Sequence, residues 1–481
     1  MKNVLHVSSE CYPAAKAGGM GDVVGALPAY LPGHGINASV VIPKYKTGWF
    51  KGKSFKTIIK GTFPLGGESQ AFTVKKLKDD SLDFPFYCID LPGLFNRDSI
   101  YLDTDGQGFK DEPRRNIAFQ TAVMEWLIGS KDTYDVVHVH DHMTGLIPFF
   151  MKFCPRYESL KSIPTVLSIH NGSYRGEFVW DEVRSYLPAF YNSDAGVLDW
   201  DGKVNSLATA IKCAWAINTV SPQYMLELVR DSDTLTPLYE TEMHKCQGIL
   251  NGIDANLWDP RTDAYLNFHL KSDKKEDWKK FKSANKTALL KQFDLKKNRP
   301  LIGFIGRFAF QKGADLLVDA ISENLKSKLK FNAFILGSGD KQLEQKVLDL
   351  SEKFPREIGA EIAYNEQLAR NVYAGCDFLI MPSRFEPCGL NQLYSMRYGT
   401  LPIASNVGGL KDTVIDIADN GLGIVIKPLD HDGLVEAIQR AVQLYKNKKQ
   451  FSSLANSITK LDYSWNNSAK LYANLYNKLI K

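Results

Sequence analysis

The sequence has no closely spaced pair of cysteines: Cys11, Cys88, Cys154, Cys213, Cys246, Cys376 and Cys388 are odd in number and scattered. That pattern argues against a disulfide-stapled scaffold or a clustered thiolate site, and for free thiols in a reducing compartment. Nowhere do about 18 apolar residues run without interruption, so no transmembrane helix or membrane partner is expected. The opening MKNVLHVSSE carries one lysine before a short apolar run, so a signal peptide is not expected and a cytoplasmic location is. Low-complexity tracts and repeats of roughly 20 to 50 residues are missing too. The charge is not of one sign either, with 59 Lys and Arg against 54 Asp and Glu and a net of +5. The stretch 271–299 alone holds eleven basic and four acidic side chains, leaving the remainder near −2. A nucleic-acid binder spreads basic residues along a face to neutralise many phosphates. One patch is instead expected to be the solvated face of a helix ahead of Ala288 to Phe293, with no nucleic-acid partner.

What is present is ordinary globular composition: 481 residues, 44% hydrophobic, 11% aromatic and 23% charged. That length predicts about two to four domains. Short β-branched runs bounded by Gly or Pro alternate with stretches of helical period, the pattern of parallel sheets covered on both faces. Strands are expected at Val4–Ser8, Ala38–Ile42, Val136–His140 and Thr165–Ile169. A second series is expected at Leu301–Ile305, Asn332–Leu336, Glu361–Tyr364, Phe378–Met381, Leu401–Ala404 and Gly423–Ile426. Helices are expected at Asp315–Ser322, Gln367–Ala374, Leu390–Tyr398 and Leu434–Tyr445. The lysine-rich stretch carries no strand signal and separates the two series, which puts a domain boundary near residues 255 to 265. The expected fold class is α/β, with two doubly wound halves, 1–258 and 259–460, facing each other across a ligand-binding cleft.

Five local patterns can carry chemistry. After the first strand, Lys16, Gly18, Gly19 and Asp22 precede an apolar helix, where paired glycines let backbone N–H groups approach an anion and Lys16 adds a charge. In FIGRFAFQKGADLL, Arg307 and Lys312 stand between a strand and a helix, placed to meet the two charges of a leaving diphosphate. In RFEPCGLNQLY, Pro387 holds Glu386 extended while Cys388, Gly389 and Leu390 present free N–H groups at a helix start, a combination that grips sugar hydroxyls. In HVHDH, His138, His140 and His142 alternate, so in one continuous strand they would share a face and could ligate a metal. The preferred reading is a buried strand that delivers Asp141 to the sheet's edge. SIHNG sets His170 and Asn171 after another strand, at a similar edge.

With KAGGMGDV, HDHMTGL, SIHNGSYRGEF, ILNGID, GRFAFQKG and FEPCGLNQLYSMRYGT in that order, the sequence closely resembles the bacterial glycogen synthase and plant starch synthase family nearly end to end. The resemblance implies a GT-B fold of two Rossmann-like domains and a retaining glucosyltransferase, with a last helix (here about Ser464 to Leu479, within 461–481) that crosses back to the first domain. It implies transfer of glucose from ADP-glucose to the non-reducing end of an α-1,4-glucan such as glycogen or a maltooligosaccharide, with no metal and no cofactor. The alternatives are a related transferase using UDP-glucose or another glycan, and a non-catalytic glucan-binding protein.

By resemblance, Lys16, Gly18, Gly19 and Asp22 match the family's loop at the nucleotide sugar, and Arg307 and Lys312 its diphosphate clamp. Glu386 with Cys388, Gly389 and Leu390 matches the site for glucose and ribose hydroxyls, and His170 the histidine beside the donor glucose. Asp141 and Asn251 match residues near the transferred glucose and the acceptor, and Tyr364 a residue beside the adenine. The sequence departs from the pattern at Met20 for Leu, His142 for Trp, Arg175 for Gln and Asn391 for Thr. Met20 is expected to matter little, being close to leucine in volume, and Asn391 to keep meeting phosphate.

Overall fold

The structure, a computed structural model, describes residues 1–97, 99–103 and 105–480. Its contacts separate two compact units, Met1–Leu250 with Trp465–Lys481, and Asn251–Ser464.

The first unit is built on β1 (Lys2–Val7), β2 (Ile36–Pro43), β3 (Phe55–Leu65), β4 (Glu68–Leu77), β5 (Phe86–Asp90), β6 (Val136–His140) and β7 (Thr165–Ile169). A small sheet of β8 (Glu177–Phe178), β9 (Asp199–Trp200) and β10 (Lys203–Asn205) follows, then β11 (Ala216–Thr219) and β12 (Cys246–Gly248). The main sheet runs β12-β11-β7-β6-β1-β2-β5-β4-β3. It is parallel except for the β3–β4 hairpin, which adds antiparallel to β5. Every residue of β6 and β7 is buried, as a strand covered on both faces requires. The strand order reverses between β1 and β6, whose pairing sets His6 opposite His138.

The second unit has β13 (Leu301–Ile305), β14 (Asn332–Leu336), β15 (Ile358–Glu361), β16 (Phe378–Met381), β17 (Leu401–Ser405) and β18 (Ile424–Ile426). All are parallel, in the order β15-β14-β13-β16-β17-β18. This is the doubly wound 3-2-1-4-5-6 order, with its reversal between β13 and β16.

The helix Trp465–Leu479 belongs to the first unit. Trp465, Ala469, Tyr472, Ala473 and Tyr476 recur at helical spacing and pack into one core with Val4, Leu27, Val136, Val166 and Ile249.

Three expectations need correction. The strand expected at Glu361–Tyr364 lies at Ile358–Glu361, because the buried positions are Ile358 and Gly359 while Tyr364 is 88% exposed. The helix expected at Leu390–Tyr398 is Asn391–Arg397, with Leu390 as its cap. The lysine-rich helix, Lys275–Gln292, is not simply a solvated face. Lys286 Nζ donates to Asp377 Oδ2 at 2.6 Å, and Lys282 Nζ to Thr400 Oγ1 at 2.5 Å and to the Tyr373 carbonyl at 3.2 Å.

Candidate active site

Each unit gathers charged and polar side chains at the C-terminal edge of its parallel sheet, at the two strands where the order reverses. In doubly wound folds that is where ligands bind.

In the first unit the chain leaves β1 through Ser8, Ser9 and Glu10. Glu10 is buried, and its Oε2 accepts the N–H groups of Ala17 at 2.6 Å and Gly18 at 2.9 Å. Its Oε1 accepts the Tyr101 hydroxyl at 2.6 Å, and burial holds that phenol well above its ordinary value, so it stays a donor. Glu10 thus clamps the glycine loop from beneath. Gly21 suits this close approach, since a Cβ would come 3.0 Å from Glu10 Oε2 and 3.1 Å from Lys16 Cγ and would push against both side chains. The Gly18 N–H expected to face an anion is instead turned onto Glu10, while Gly19 opens the helix Gly19–Tyr30 with free space around it. Lys16 Nζ pairs with Asp22 Oδ1 at 2.7 Å, both partly exposed. Met20 is buried, as leucine would be.

β6 is followed at once by Asp141, whose backbone lies at φ 54°, ψ −173°, a region that only glycine enters without strain. The strain places its carboxylate under the end of β7, where Oδ1 accepts the N–H of His170 at 2.7 Å and of Asn171 at 3.3 Å. Burial nonetheless pushes the Asp141 carboxyl up to about 6. Burial takes His170 down to about 3, so its imidazole is neutral throughout the physiological range.

His142 does not continue the strand. It lies on a 3-10 turn, with Nε2 3.4 Å from Glu112 Oε1 and Nδ1 buried without a partner among the described residues. The three alternating histidines are therefore not a shared face. His138 and His140 meet His6 from β1 instead, and the ligand atoms of those three lie within 4.8 Å of one another. Arg175 is held by Asp233 Oδ2 at 2.6 Å and the Ser232 carbonyl at 3.1 Å.

In the second unit, Lys312 follows β13 and Glu386 follows β16. Lys312 Nζ meets Glu386 Oε2 at 2.6 Å, and Ser383 Oγ donates to the same oxygen at 2.9 Å. The Glu386 side chain is 9% exposed and that of Lys312 27%. Gly313, at φ +66°, makes the turn after Lys312, and a Cβ there would fall 2.0 Å from the Pro382 carbonyl oxygen. Arg384 braces this loop, binding Asp315 through both guanidinium nitrogens at 2.8 and 2.7 Å and lying 3.9 Å over the Phe310 ring. Arg307 is exposed, and among the described residues no carboxylate pairs with it.

Cys388, Gly389 and Leu390 lead into the helix Asn391–Arg397. Gly408 and Gly409 pack under them so closely that a Cβ on either would sit 2.1 to 2.2 Å from the carbonyl oxygens of Glu386 or Cys388. Burial pushes the Cys388 thiol up to about 12, so it is no nucleophile. The Asn391 side chain, expected to meet phosphate, is used by the scaffold: Nδ2 donates to the Ile305 carbonyl at 2.8 Å and Oδ1 accepts from the Tyr373 hydroxyl at 2.9 Å. Asn251 is buried in this unit, with its Oδ1 unpartnered among the described residues.

Sequence reasoning missed Glu10, Tyr101, Ser383 and Arg384. Tyr101 and Arg384 act through contacts distant in the chain, whereas Glu10 lies seven and eight residues before the N–H groups it holds and Ser383 three before Glu386, both within reach of a closer reading.

Two Rossmann-like α/β units with these edge clusters are the architecture of GT-B glycosyltransferases. The fold matches sucrose-phosphate synthase from Thermosynechococcus elongatus with a TM-score of 0.60 at 17% identity, covering 100% of this chain and 99% of that one, a likeness of fold alone. It matches the catalytic domain of starch synthase IV from Arabidopsis thaliana, solved bound to ADP and acarbose, with a TM-score of 0.86 at 28% identity over 100% and 99% of the two chains. Residues 3–246 match the starch synthase catalytic domain family and residues 285–457 the glycosyl transferases group 1 family. The chain is 41% identical to a glycogen synthase of Flavobacterium johnsoniae and 36% identical to one of Thermosipho africanus, covering 99% of each chain in both cases. The chain belongs to the glycogen and starch synthase family and is a glucosyltransferase of that kind. Among the described residues, no helix is long and apolar enough to cross a membrane.

Proposed function

We propose that the protein transfers glucose from ADP-glucose to the non-reducing end of an α-1,4-glucan in the cytoplasm, with retention of configuration and with neither metal nor cofactor. The observation that carries the chemistry is the Lys312–Glu386–Ser383 cluster at the strand reversal, just ahead of the Cys388–Leu390 turn in the chain, while Arg307 is exposed after β13 with no carboxylate partner among the described residues.

Breaking a glycosyl-phosphate bond leaves negative charge on the departing diphosphate and positive charge on the sugar, and only contacts stronger in the transition state accelerate the step. Arg307 and Lys312 neutralise the diphosphate, supplying charge that a metal supplies in other transferases. Glu386 and the N–H groups of Cys388, Gly389 and Leu390 hold glucose and ribose hydroxyls. Lys16, Gly18, Gly19 and Asp22 form the loop at the nucleotide sugar, with Gly19 as its open backbone and Gly18 held on Glu10, and Tyr364, exposed in this structure, lies beside the adenine. His170 sits beside the donor glucose, with Asp141 and Asn251 near the transferred glucose and acceptor. Glu386, already paired to Lys312, orients hydroxyls and does not attack, which favours a front-face route in which the leaving phosphate takes the acceptor's proton.

The test is to incubate purified protein with glycogen or a maltooligosaccharide and either ADP-glucose or UDP-glucose, with and without a chelator, following diphosphate release and chain elongation. Elongation from ADP-glucose that is chelator-insensitive and lost in Glu386→Ala is expected. A preference for UDP-glucose refutes the donor, and glucan binding without turnover of either donor refutes the reaction.

A further inference from the structure

The buried histidines behind the first unit's edge form a continuous hydrogen-bonded chain. His6 Nδ1 lies 3.0 Å from His140 Nε2, and His140 Nδ1 lies 2.9 Å from His170 Nε2. His138 Nδ1 is 2.7 Å from the Tyr476 hydroxyl, and His138 Nε2 is 2.6 Å from Ser168 Oγ. The Tyr476 hydroxyl also reaches His6 Nε2 at 3.5 Å, the longest link. Beyond Ser168, its hydroxyl donates to Asn218 Oδ1 at 2.7 Å while Asn218 Nδ2 donates to the Tyr472 hydroxyl at 2.9 Å. Burial holds His6 at about 3 and His138 and His140 well below their ordinary value, so all these rings are neutral.

A neutral imidazole has one donor and one acceptor, and a hydroxyl one proton, so the direction of one link fixes the next. The Ser168 proton goes to Asn218 Oδ1, so Ser168 Oγ receives N–H from His138 Nε2 and His138 Nδ1 is an acceptor. Tyr476 must then give its proton to His138, leaving its oxygen to accept from His6 Nε2–H. His6 Nδ1 in turn accepts from His140 Nε2–H, and His140 Nδ1 accepts from His170 Nε2–H. His170 Nδ1 is the one ring nitrogen of the four histidines without a partner among the described residues.

We propose that this chain of side chains fixes His170 as its Nε2–H tautomer, so that the ring offers substrate a lone pair and never an N–H, with Tyr476, His6 and His140 as positioning residues. The role of His170 toward substrate rests on the functional reading above, but the ordering of the chain does not. A single tautomer matches an incoming sugar hydroxyl that must donate, and removes the alternative ring state that would face it donor to donor. The same lone pairs that bring the ligand atoms of His6, His138 and His140 within metal-binding distance are spent inside the chain.

The experiment is a two-bond proton–nitrogen correlation spectrum of the substrate-free, full chain labelled with nitrogen-15 histidine, in which the two neutral tautomers give different cross-peak patterns. The His170 pattern is identified by its loss in His170→Asn. The expected result is the Nε2–H pattern for His170, constant from about pH 6 to 8. Tyr476→Phe, which cuts the chain between His138 and His6, should convert it to a mixture of tautomers and lower kcat/KM about fivefold, the worth of one hydrogen bond. That loss should vanish when Tyr476→Phe is made in the His170→Asn background. If Tyr476→Phe does not fold, Ser168→Ala removes the acceptor of His138 and should give the same mixture. An Nδ1–H pattern in the unmodified protein overturns the proposal, as does an unchanged pattern in the variants or an equal loss of activity with and without His170. Because the spectrum needs no substrate, a wrong donor assignment leaves its outcome untouched.

Discussion

Asp141 is where the demands of the site and of the fold conflict most measurably. Its carboxyl is moved from 3.8 to about 6, with burial the largest cause and the N–H groups of His170 and Asn171 opposing it. Between pH 3.8 and about 6 the native carboxyl keeps a proton that the unfolded chain has lost, so stability falls as pH rises through this window and stays lower above it. At about 1.4 kcal/mol per pH unit, the charge costs the fold roughly 3 kcal/mol at neutral pH. Asp141→Asn keeps an oxygen for both N–H groups and the same strained backbone, so those contributions cancel, and only the charge is removed. The variant should therefore be more stable than the parent by about 3 kcal/mol at pH 8, equal to it near pH 4, and less active. Urea and thermal unfolding of both proteins at half-unit steps from pH 4 to 8 give the comparison, with a rise in melting temperature of about 5 °C at pH 8 for a domain of this size. A stability difference independent of pH, or a variant less stable at pH 8, would refute the reasoning.

Other expectations follow from separate contacts. Glu10→Gln weakens two charge-assisted N–H contacts beneath the glycine loop, so the donor KM should rise on the order of tenfold with a smaller change in kcat in steady-state assays. Lys312→Ala should lower kcat by about 10² to 10³, the cost of one lost electrostatic contact in a transition state, and normal turnover would remove it from the diphosphate clamp. Lys282, pushed down to about 7 mainly by burial, binds protons less well folded than unfolded, so the charge penalty is full below pH 7 and fades as pH rises toward 10.5. Lys282→Met should accordingly gain most over the parent at pH 6 and least at pH 10, as read by thermal unfolding.

The sequence revealed strands wherever burial on both faces produced a compact apolar run, as in Val136–His140 and Phe378–Met381, both seen at the expected residues. It was silent where the signal is mixed. The β3–β4 hairpin has many exposed positions, and β12 is only three half-buried residues. Local motifs led to Lys312 and Glu386 because a strand, a loop and a helix start are contiguous in the chain. They did not disclose that the two would pair, since that depends on β13 lying beside β16. The period-two reading of HVHDH failed for a similar reason. The strand stops at His140, and the partners of its histidines come from β1 and β7, which only the sheet order supplies. The side-chain bonds of Asn391 were not legible either, because its position at a helix start says nothing of Tyr373, 18 residues earlier on another helix, whose hydroxyl donates to its amide oxygen.

The helix Trp465–Leu479 completes the first unit's core and carries Tyr472 and Tyr476, yet the ribosome makes it after the whole of the second unit. The domain begun first is thus finished last. While the chain is growing, Val4, Leu27, Val136 and Val166 wait with an uncovered apolar face, a period in which chaperone binding or aggregation competes with folding. Until that helix docks, the histidine chain also lacks the Tyr476 hydroxyl, so under the proposed ordering a nascent chain with both sheets formed would still have no settled His170 tautomer.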